Sequence, residues 1–357
     1  MIVGLSGGVD SSVAAYLLKQ QGFEVTGVSM SIWGGGLNAV PSGRHSCYGP
    51  DELEEIREAR EVAQSLEIPF HVYDCSRRYK ELVLDYFRNE YLSGRTPNPC
   101  VRCNQLIKFG MLPEIAQAEG LVFDYFATGH YARVGRDEKT GRYLLYKGMD
   151  SKKDQTYFIY RLSQEQLSKV LFPLGELTKK EVRGIAANIH VELSDKEESQ
   201  DFYSGDYKEL INAPESEGEI ITRQDRVLGI HKGIWNYTIG QRKGLGIAFP
   251  EPLYVTGLDT KQNQVIVGTR EEIMSSAFIV SDPNWIAIAN LDHPMSVNVK
   301  IRSASKEAEA TIEPAPNVQV KVTFRRPNDS ITPGQSAVFY REDTVIGGGI
   351  IESIIKS

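Results

Sequence analysis

Apolar residues recur with two different spacings in the first 130 residues of the chain. Short apolar runs, typical of buried strands, lie at 2–5, 23–30, 68–73 and 122–127. Apolar residues spaced three or four apart, typical of amphipathic helices, lie at 11–20, 52–66, 78–91 and 110–119. Strands separated by helices form parallel βαβ units, so this region predicts an α/β domain with a parallel sheet.

The pattern changes twice further along the chain. Helical spacing continues at 164–170 and 179–187, and two strands flank a turn-rich segment at 254–258 and 264–267. Further strands are expected at 296–302, 308–312, 318–324, 337–340 and 345–354. Short strands at this spacing are typical of a small β-barrel or sandwich. We therefore predict three domains, at 1–210, 211–276 and 277–357.

Composition narrows the class of protein. A chain of 357 residues is too long for one compact core, and 41% hydrophobic with 24% charged residues is ordinary for a globular protein. No apolar stretch approaches the roughly 20 residues of a membrane span, and we expect no signal peptide, because the first residues are typical of a buried strand. We expect a cytoplasmic protein without membrane contact. The net charge of −7 gives no support to nucleic-acid binding, unless basic residues cluster on one face.

A glycine-rich turn lies between the first strand and the first helix. It reads Ser6-Gly7-Gly8-Val9-Asp10-Ser11-Ser12. Glycines let the backbone approach phosphate oxygens, the helix start supplies N–H groups and positive dipole, and the serine hydroxyls add donors. We predict an anion site here, the alternative being a turn that only caps the helix. Asp10 serves either as the helix N-cap or as a magnesium partner.

This turn resembles the pyrophosphate loop of ATP pyrophosphatases, which split ATP into AMP and pyrophosphate while adenylating an acceptor oxygen. Other segments are similar, in the same order, to bacterial tRNA-specific 2-thiouridylases. They read TPNPCVRCN at 96–104 followed by IKF at 107–109, ATGHYAR at 127–133, KDQTYF at 153–158, YTIGQRKGLG at 237–246 and PGQSAVFY at 333–340. The resemblance implies a catalytic pyrophosphate-loop domain, a small central tRNA-binding domain and a C-terminal β-barrel.

The resemblance also implies ligands and contact residues. The implied ATP site comprises Gly4, Leu5, Ser6, Gly7, Gly8, Val9, Asp10, Ser11, Met30 and Gly129. The implied contacts to tRNA or its target base are Asn98, Pro99, Cys100, His130, Lys153, Asp154, Gln155, Arg302 and Gln335. The expected ligands are ATP, Mg²⁺ and tRNA, with sulfur coming from a cysteine desulfurase, a sulfur carrier or sulfide. Alternatives stay open: a core methionine at Met30, a structural histidine at His130, and solvated side chains at Arg302 and Gln335.

The family reaction replaces the C2 oxygen of a wobble uridine by sulfur with two cysteines, one carrying a persulfide and the other closing a disulfide on it. Cys103 occupies the first position, but Tyr203 stands where the second cysteine is expected, in Ser199-Gln200-Asp201-Phe202-Tyr203-Ser204.

Three alternatives remain for the sulfur chemistry. In the first, Cys100 replaces the missing partner. In the second, Cys100 and Cys103 join a third cysteine around a [4Fe-4S] cluster. In the third, thiolation is lost or altered. For the third ligand we favour Cys47, in a Gly/Pro-containing loop expected to be exposed, over Cys75, which we expect to be a buried hydrophobe.

The leading hypothesis is therefore an enzyme, an AMP- and pyrophosphate-forming tRNA uridine 2-sulfurtransferase. One alternative is an ATP-pyrophosphatase-type ligase acting on another substrate. The other is a tRNA-binding relative that has lost thiolation, which the missing cysteine favours and the intact loop disfavours.

Overall fold

The computed structural model describes residues 1–35, 46–189, 201–203, 205–329 and 331–355. The chain forms two compact units that do not follow chain order. The first unit comprises Met1–Val83, Pro99–Tyr207 and Asp343–Val345, and the second comprises Leu84–Asn98, Lys208–Glu342 and Ile346–Ser357.

The helices and strands are numbered along the chain. The helices are α1 (Val9–Gln20), α2 (Glu52–Ser65), α3 (Ser76–Tyr79), α4 (Asp85–Leu92), α5 (Pro99–Cys103), α6 (Leu112–Ala118), α7 (Thr156–Ile159), α8 (Gln164–Ser168), α9 (Lys179–Asn188), α10 (Tyr207–Ile211) and α11 (Arg270–Ile273). The first nine strands are β1 (Ile2–Gly4), β2 (Thr26–Ser31), β3 (Ser46–Tyr48), β4 (Phe70–Asp74), β5 (Phe126–Ala127), β6 (Ala132–Arg136), β7 (Tyr143–Lys147), β8 (Val170–Leu171) and β9 (Asp201–Tyr203). The others are β10 (Gly218–Thr222), β11 (Val227–His231), β12 (Tyr254–Asp259), β13 (Gln264–Gly268), β14 (Ser275–Trp285), β15 (Met295–Lys300), β16 (Ala308–Ala315), β17 (Gln319–Asn328), β18 (Ser336–Arg341) and β19 (Thr344–Ile355).

The first unit is built on a parallel sheet, which confirms the predicted α/β class. Its strand order is β4-β2-β1-β5-β8, and Ile2 of the central strand pairs with Thr26 on one side and Phe126 on the other. Ile2 and Val3 are buried because helices cover both faces of the sheet. The loop after β1 therefore opens at the carboxyl edge of the sheet, where open α/β sheets bind ligands.

The helices of this unit are less regular than their periodicity predicts. The predicted helix at 78–91 is divided by the π-helical segment Lys80–Leu84, and a second π-helical segment, Asn104–Met111, separates α5 from α6. The expected strand at 122–127 is shortened to β5, and Val122 is 98% exposed. The hairpin β6–β7 and the parallel pair β3–β9 were not predicted.

The second unit is mostly antiparallel. Four strands form a small sheet in the order β11-β10-β13-β12, where β10 and β13 are the parallel pair. Six more strands run in the order β14-β17-β16-β15-β18-β19, and β14 also pairs with β19, which closes a barrel. Alternating residues such as Val297, Val299 and Ile312 fill its interior. The predicted C-terminal β-barrel is therefore confirmed.

None of the helices in the described ranges is long and apolar enough to cross a membrane.

Candidate functional site

A cavity of about 330 Å³ opens in the first unit at the loop after β1. Its walls come from the loop, the carboxyl end of β2, the starts of α2 and α9, and the turn after β5. The lining residues are Gly4, Leu5, Ser6, Gly8, Val9, Asp10, Ser11, Val28, Ser29, Met30, Ile32, Cys47, Glu52, Glu55, Ile56, Lys108, Leu112, Thr128, Gly129, His130, Gln155 and Lys179. The cavity is therefore lined by every residue that the resemblance places in the ATP site except Gly7.

Gly7 and Gly8 differ in backbone conformation and in the space available for a side chain. Gly7 has φ +71°, and a Cβ there would lie 2.8 Å from the Glu55 carbonyl oxygen, so the turn itself requires glycine. Gly8 has an ordinary φ of −91°, and an added Cβ would meet only Ser6 Oγ at 3.6 Å. No contact inside the protein explains the missing side chain at Gly8, which leaves room for a ligand at the start of α1.

The hydroxyls of the loop brace the loop itself. Ser11 Oγ and Ser12 Oγ both donate to the Gly8 carbonyl oxygen, at 3.0 and 2.9 Å. Ser11 Oγ also accepts from the Ser6 backbone N–H at 3.2 Å. In this structure the Ser11 and Ser12 hydroxyls donate within the loop, and their role as donors to a bound anion remains a prediction. The backbone N–H groups at the start of α1 remain the anion-binding feature, because the first turn of a helix lacks intrahelical acceptors.

Asp10 lies inside α1 and forms an ion pair with Lys179. The helix N-cap is Gly8, so the N-cap interpretation of Asp10 is wrong. Lys179 Nζ donates to both carboxylate oxygens of Asp10, at 2.8 and 2.9 Å, and Tyr131 Oη donates to Oδ1 at 2.9 Å. Sequence reasoning missed Lys179. It places a positive charge in the cavity wall beside the loop, which suits a polyphosphate.

Met30, which the resemblance places in the ATP site, belongs to the part of the cavity wall formed by β2. Glu52, which sequence reasoning also missed, fixes the chain after β2 by accepting from the backbone N–H groups of Ile32 and Trp33 at 2.6 and 2.8 Å. Gly129 approaches α1 so closely that a Cβ would lie 2.7 Å from the Asp10 carbonyl carbon. Gly129 is therefore required by packing between the two turns.

Three cysteines lie around one buried tyrosine. Cys100 and Cys103 are half-buried on α5, and burial raises the pKa of Tyr79 well above its usual value, with smaller increases from Cys103, Cys47 and Cys100. Burial also raises the pKa of the Cys103 thiol to about 12, opposed by the nearby Lys108 ammonium. Cys103 is therefore a protonated thiol at neutral pH in this structure.

Cys47 lies on a strand, so the prediction of a loop at this position is wrong. β3 pairs in parallel with β9, and Tyr48 is the register partner of Tyr203. The Tyr48 ring stacks on Tyr79, with centroids 5.3 Å apart, and lies 6.1 Å from the Tyr203 ring. Cys47 is exposed and lines the cavity. Ser199, Gln200 and Ser204 of the predicted second-cysteine segment lie outside the described residues.

Cys75 is buried, 1% exposed, and burial raises its thiol pKa to about 12. This agrees with its interpretation as a buried apolar residue. The structure describes all four cysteines as thiols.

The aromatic side of the cavity contains His130. Its Nδ1 lies 2.8 Å from Thr128 Oγ1, and its ring packs against Phe109 and Phe172. Burial, with a smaller effect of Lys108, holds the pKa of His130 well below its usual value, so the ring is neutral at pH 7. Lys108 also lines the cavity and was not singled out as a site residue from the sequence.

In the segment 153–155, which the resemblance implies to contact tRNA, two of the three side chains form hydrogen bonds within the protein. Gln155 lines the cavity and accepts from the Tyr131 N–H at 2.9 Å through Oε1. The carboxylate of Asp154 accepts from the Thr156 N–H and hydroxyl, at 3.2 and 2.9 Å. Lys153 is half-buried at the preceding turn.

Asn98, Arg302 and Gln335 belong to the second unit, and Pro99 to the first. Arg302 donates to the Ile239 carbonyl oxygen at 3.2 Å and to the Thr332 hydroxyl. Gln335 Nε2 donates to the carbonyl oxygens of Thr96 and Pro97, at 3.1 and 2.9 Å. Neither side chain is simply solvated, and their contact with tRNA remains a prediction.

Across the described ranges, no group of three or more His, Cys, Asp or Glu residues is arranged to hold a metal ion. The cluster ligands Cys47, Cys100 and Cys103 therefore remain a prediction. Mg²⁺ fits this donor set only in part, since both oxygens of Asp10 already accept from Lys179.

A glycine-rich loop at the carboxyl edge of a parallel sheet, with Lys179 and Cys47 lining the same cavity, is typical of a nucleotide-binding α/β protein. Residues 1–203 match the tRNA methyl transferase HUP domain, 210–269 its PRC-barrel domain, and 275–351 the aminomethyltransferase beta-barrel domain.

Curated relatives are similar over nearly the whole chain. The tRNA-specific 2-thiouridylase MnmA of Endomicrobium trichonymphae is 51% identical, covering 98% of both chains. MnmA 1 of Caldanaerobacter subterraneus subsp. tengcongensis is 48% identical over 100% of this chain and 98% of its own, and MnmA of Clostridium perfringens is 44% identical over 99% of both. The chain belongs to the tRNA-specific 2-thiouridylase family.

Proposed function

We propose that this protein is an ATP-dependent tRNA uridine 2-sulfurtransferase that thiolates the wobble uridine (U34) at C2. The observation that carries the proposal is the composition of the cavity in the first unit. The cavity joins a glycine-rich loop suited to a polyphosphate with Cys47 and with Lys108, whose charge acts on Cys103.

The loop end would perform the activation step. The N–H groups at the start of α1, the open space at Gly8 and the Lys179 ammonium would hold the β- and γ-phosphates of ATP. The C2 oxygen of uridine attacks the α-phosphorus, pyrophosphate leaves, and the oxygen becomes part of an AMP leaving group. Preorganised positive groups help because they stabilise charge that develops on the leaving pyrophosphate.

The cysteine end would deliver sulfur. Sulfur is a better nucleophile than water for C2 of the activated ring, and its attack expels AMP. We assign the attacking sulfur to Cys103, with Asn98, Pro99 and Cys100 facing the base. His130, Lys153, Asp154, Gln155, Arg302 and Gln335 are assigned to tRNA contacts.

Several parts of the proposal rest on the family. Mg²⁺ would arrive on the ATP phosphates and neutralise part of their charge. The sulfur source is a cysteine desulfurase, a sulfur carrier or sulfide. We retain the domain boundaries 1–210, 211–276 and 277–357, and a cytoplasmic location that follows from a tRNA substrate.

The family-model name contains methyl transferase, but the cavity favours ATP chemistry. The loop geometry is that of a polyphosphate site, and the relatives of similar length are named 2-thiouridylases. Full-length similarity to these relatives also disfavours a small-molecule ligase.

The test is nucleoside mass spectrometry of unmodified tRNA incubated with anaerobically purified protein, ATP, Mg²⁺ and a sulfide source. We expect 2-thiouridine and one AMP per thiolated uridine. AMP formation on tRNA without 2-thiouridine would point to altered chemistry, and tRNA binding without AMP would identify a non-catalytic relative.

A further inference from the structure

Lys108 lines the cavity of the first unit, and its ammonium group has no role in the binding of ATP described so far. The other lysine of the cavity wall, Lys179, forms an ion pair with Asp10 at 2.8 Å. Within the residues that the structure describes, the ammonium group of Lys108 forms no ion pair and no hydrogen bond. Lys108 is half-buried, and burial of an unpaired charge is unfavourable, so its position favours a negatively charged ligand in the cavity.

Three carboxylates line the same cavity, and none of them is a partner of Lys108. Both oxygens of Asp10 accept from Lys179. The carboxylate of Glu52 accepts from two backbone N–H groups, at 2.6 and 2.8 Å. Glu55 forms no ion pair with Lys108 in the described part of the chain. The positive charge of Lys108 is therefore available to a bound anion.

The backbone around Lys108 has an uncommon conformation that a second element holds in place. Lys108 belongs to the π-helical segment Asn104–Met111. Gln166 of α8 donates through Nε2 to the carbonyl oxygens of Gln105 and Phe109, at 3.1 and 3.0 Å. Single turns of π-helix are rare and occur frequently at functional sites. The side chain of Lys108 thus starts from a backbone position that is fixed by contacts within the protein.

The turn after β5 connects the surroundings of Lys108 with the glycine-rich loop. Gly129 packs so closely on α1 that a Cβ would lie 2.8 Å from the backbone nitrogen of Ser11. The ring of the next residue, His130, lies 5.5 Å from that of Phe109, the chain neighbour of Lys108. The positive charge of Lys108 contributes to the lowered pKa of His130, which agrees with this placement. A nucleotide bound at the loop would therefore lie close to Lys108, since the cavity is at the small end of the range for ligand pockets.

The covalent structure of ATP indicates which phosphate Lys108 meets. The start of α1 and Lys179 are assigned to the β- and γ-phosphates, which leave together as pyrophosphate. The α-phosphate lies between that pair and the nucleoside, for which the resemblance implies Met30. Of the lysine and arginine residues that line the cavity in the described ranges, only Lys108 has no assigned phosphate.

We propose that Lys108 is a catalytic residue of the adenylation step, with its ammonium group on the non-bridging oxygens of the α-phosphate; this inference rests on the proposed function. In that step the C2 oxygen of uridine forms a bond to the α-phosphorus, and the bond from this phosphorus to the bridging oxygen of the β-phosphate breaks. Pyrophosphate leaves with the bridging oxygen and the electron pair, and the N3 proton of uridine passes to solvent. Lys108 transfers no proton and stabilises negative charge on the phosphoryl group during its transfer.

The test is tRNA-dependent exchange of radioactive pyrophosphate into ATP, which measures adenylation without any sulfur step. Lys108→Gln should lower the kcat of exchange by about 10²-fold or more, because removal of one transition-state contact costs roughly this factor. The KM for ATP should change by less than about threefold, since the ammonium acts mainly in the transition state. Lys108→Arg keeps the positive charge and should exchange at least about tenfold faster than Lys108→Gln.

A matched substitution separates this role from a general effect of removing a lysine. Lys169 is exposed, pairs with Glu165 at 3.1 Å and does not line the cavity, so Lys169→Gln should exchange at the wild-type rate. The midpoint of thermal unfolding should be close to the wild-type value for all three variants. The loss in Lys108→Gln is then a loss of catalysis in a folded protein.

Three results would overturn the proposal. One is undiminished exchange by Lys108→Gln, including the case in which only thiolation falls, because the charge would then act on Cys103 alone. Another is a rise in the KM for ATP with unchanged kcat, which would identify simple binding. The third is an equal loss of exchange in Lys108→Gln and Lys108→Arg with a lowered unfolding midpoint. If the wild-type protein shows neither exchange nor 2-thiouridine, the proposed function fails instead.

Discussion

The nucleotide end of the proposed site, at the glycine-rich loop, and its sulfur end, at the cysteines around Tyr79, are built in different ways. At the nucleotide end, the expected anion-binding features are the glycine turn, the start of α1, and the Lys179 ammonium, which forms an ion pair with Asp10. At the sulfur end, thiols surround a buried aromatic stack of Tyr48 and Tyr79, and burial keeps Cys103 protonated. The first end is prepared for an anion, whereas the second must be activated before its sulfur can react. The comparison predicts that the two ends can be disabled separately.

The largest effect is expected from Cys103→Ser. Thiolation should fall by about 10³-fold or more, because a hydroxyl cannot carry sulfane sulfur. AMP formation on tRNA should remain near the wild-type rate, since the loop end is unchanged. Parallel assays of AMP and 2-thiouridine check this. Retained thiolation would exclude Cys103 as the sulfur carrier, and joint loss of both activities would show that the ends are coupled.

Gly8→Val should disable the opposite end. A valine side chain would fill the space left at the start of α1, and AMP formation should fall about 10²-fold or more because phosphate approach is blocked. Cys103 should still accept a persulfide, measured by mass spectrometry. Gly184→Val is the matched control, since a Cβ at that exposed helix position meets nothing within 4 Å. Equal losses in the two variants would remove the argument for a ligand at Gly8.

Lys179→Gln tests the ion pair at the nucleotide end. Loss of a charged hydrogen bond to phosphate is worth roughly 1.5–3 kcal/mol, so the KM for ATP should rise about tenfold or more. Lys180→Gln is the control, because Lys180 is the exposed neighbour. If ATP kinetics are unchanged while the protein unfolds at a lower temperature, Lys179 only neutralises Asp10.

The smallest effect is expected in the pH dependence of the rate at which Cys103 is alkylated. A raised pKa means that the thiolate of Cys103 is scarce at neutral pH and increases as pH rises toward about 12. Alkylation of Cys103 should therefore accelerate roughly tenfold per pH unit between pH 7 and 9. Lys108→Gln should slow the reaction at each pH, because the ammonium lowers that pKa. Site-resolved peptide mass spectrometry measures the rate, and a pH-independent rate would contradict a protonated thiol.

The same contrast explains what the sequence could predict. The parallel sheet, the glycine loop and the barrel follow from local periodicity and from residues adjacent in the chain. Lys179 and Asp10 lie 169 residues apart, and nothing in the spacing around either residue indicates their contact. The capping box of Thr178 and Glu181 marks the start of α9 but not its partner.

The prediction that Cys47 lies in a loop was wrong for a related reason. β3 and β9 have three residues each, too few to show alternation, and β3 follows a Gly/Pro-rich stretch that is typical of loops. Pairing between strands about 155 positions apart cannot be inferred from either segment alone. The bonds from the Ser11 and Ser12 hydroxyls to the Gly8 carbonyl oxygen could not be predicted either, because composition identifies donors without identifying their acceptors.

The assignment of Leu84–Asn98 to the second unit has a consequence for biosynthesis. This segment leaves the ribosome early, but the unit to which it belongs resumes only at Lys208. At 5–20 residues per second, the nascent chain must wait roughly 5–20 s for that partner. Phe87 of α4, buried in the finished protein, is unprotected during this interval. Chains stalled in translation before residue 208 should therefore be ready targets for chaperones, and the barrel can close only when β19 has been synthesised.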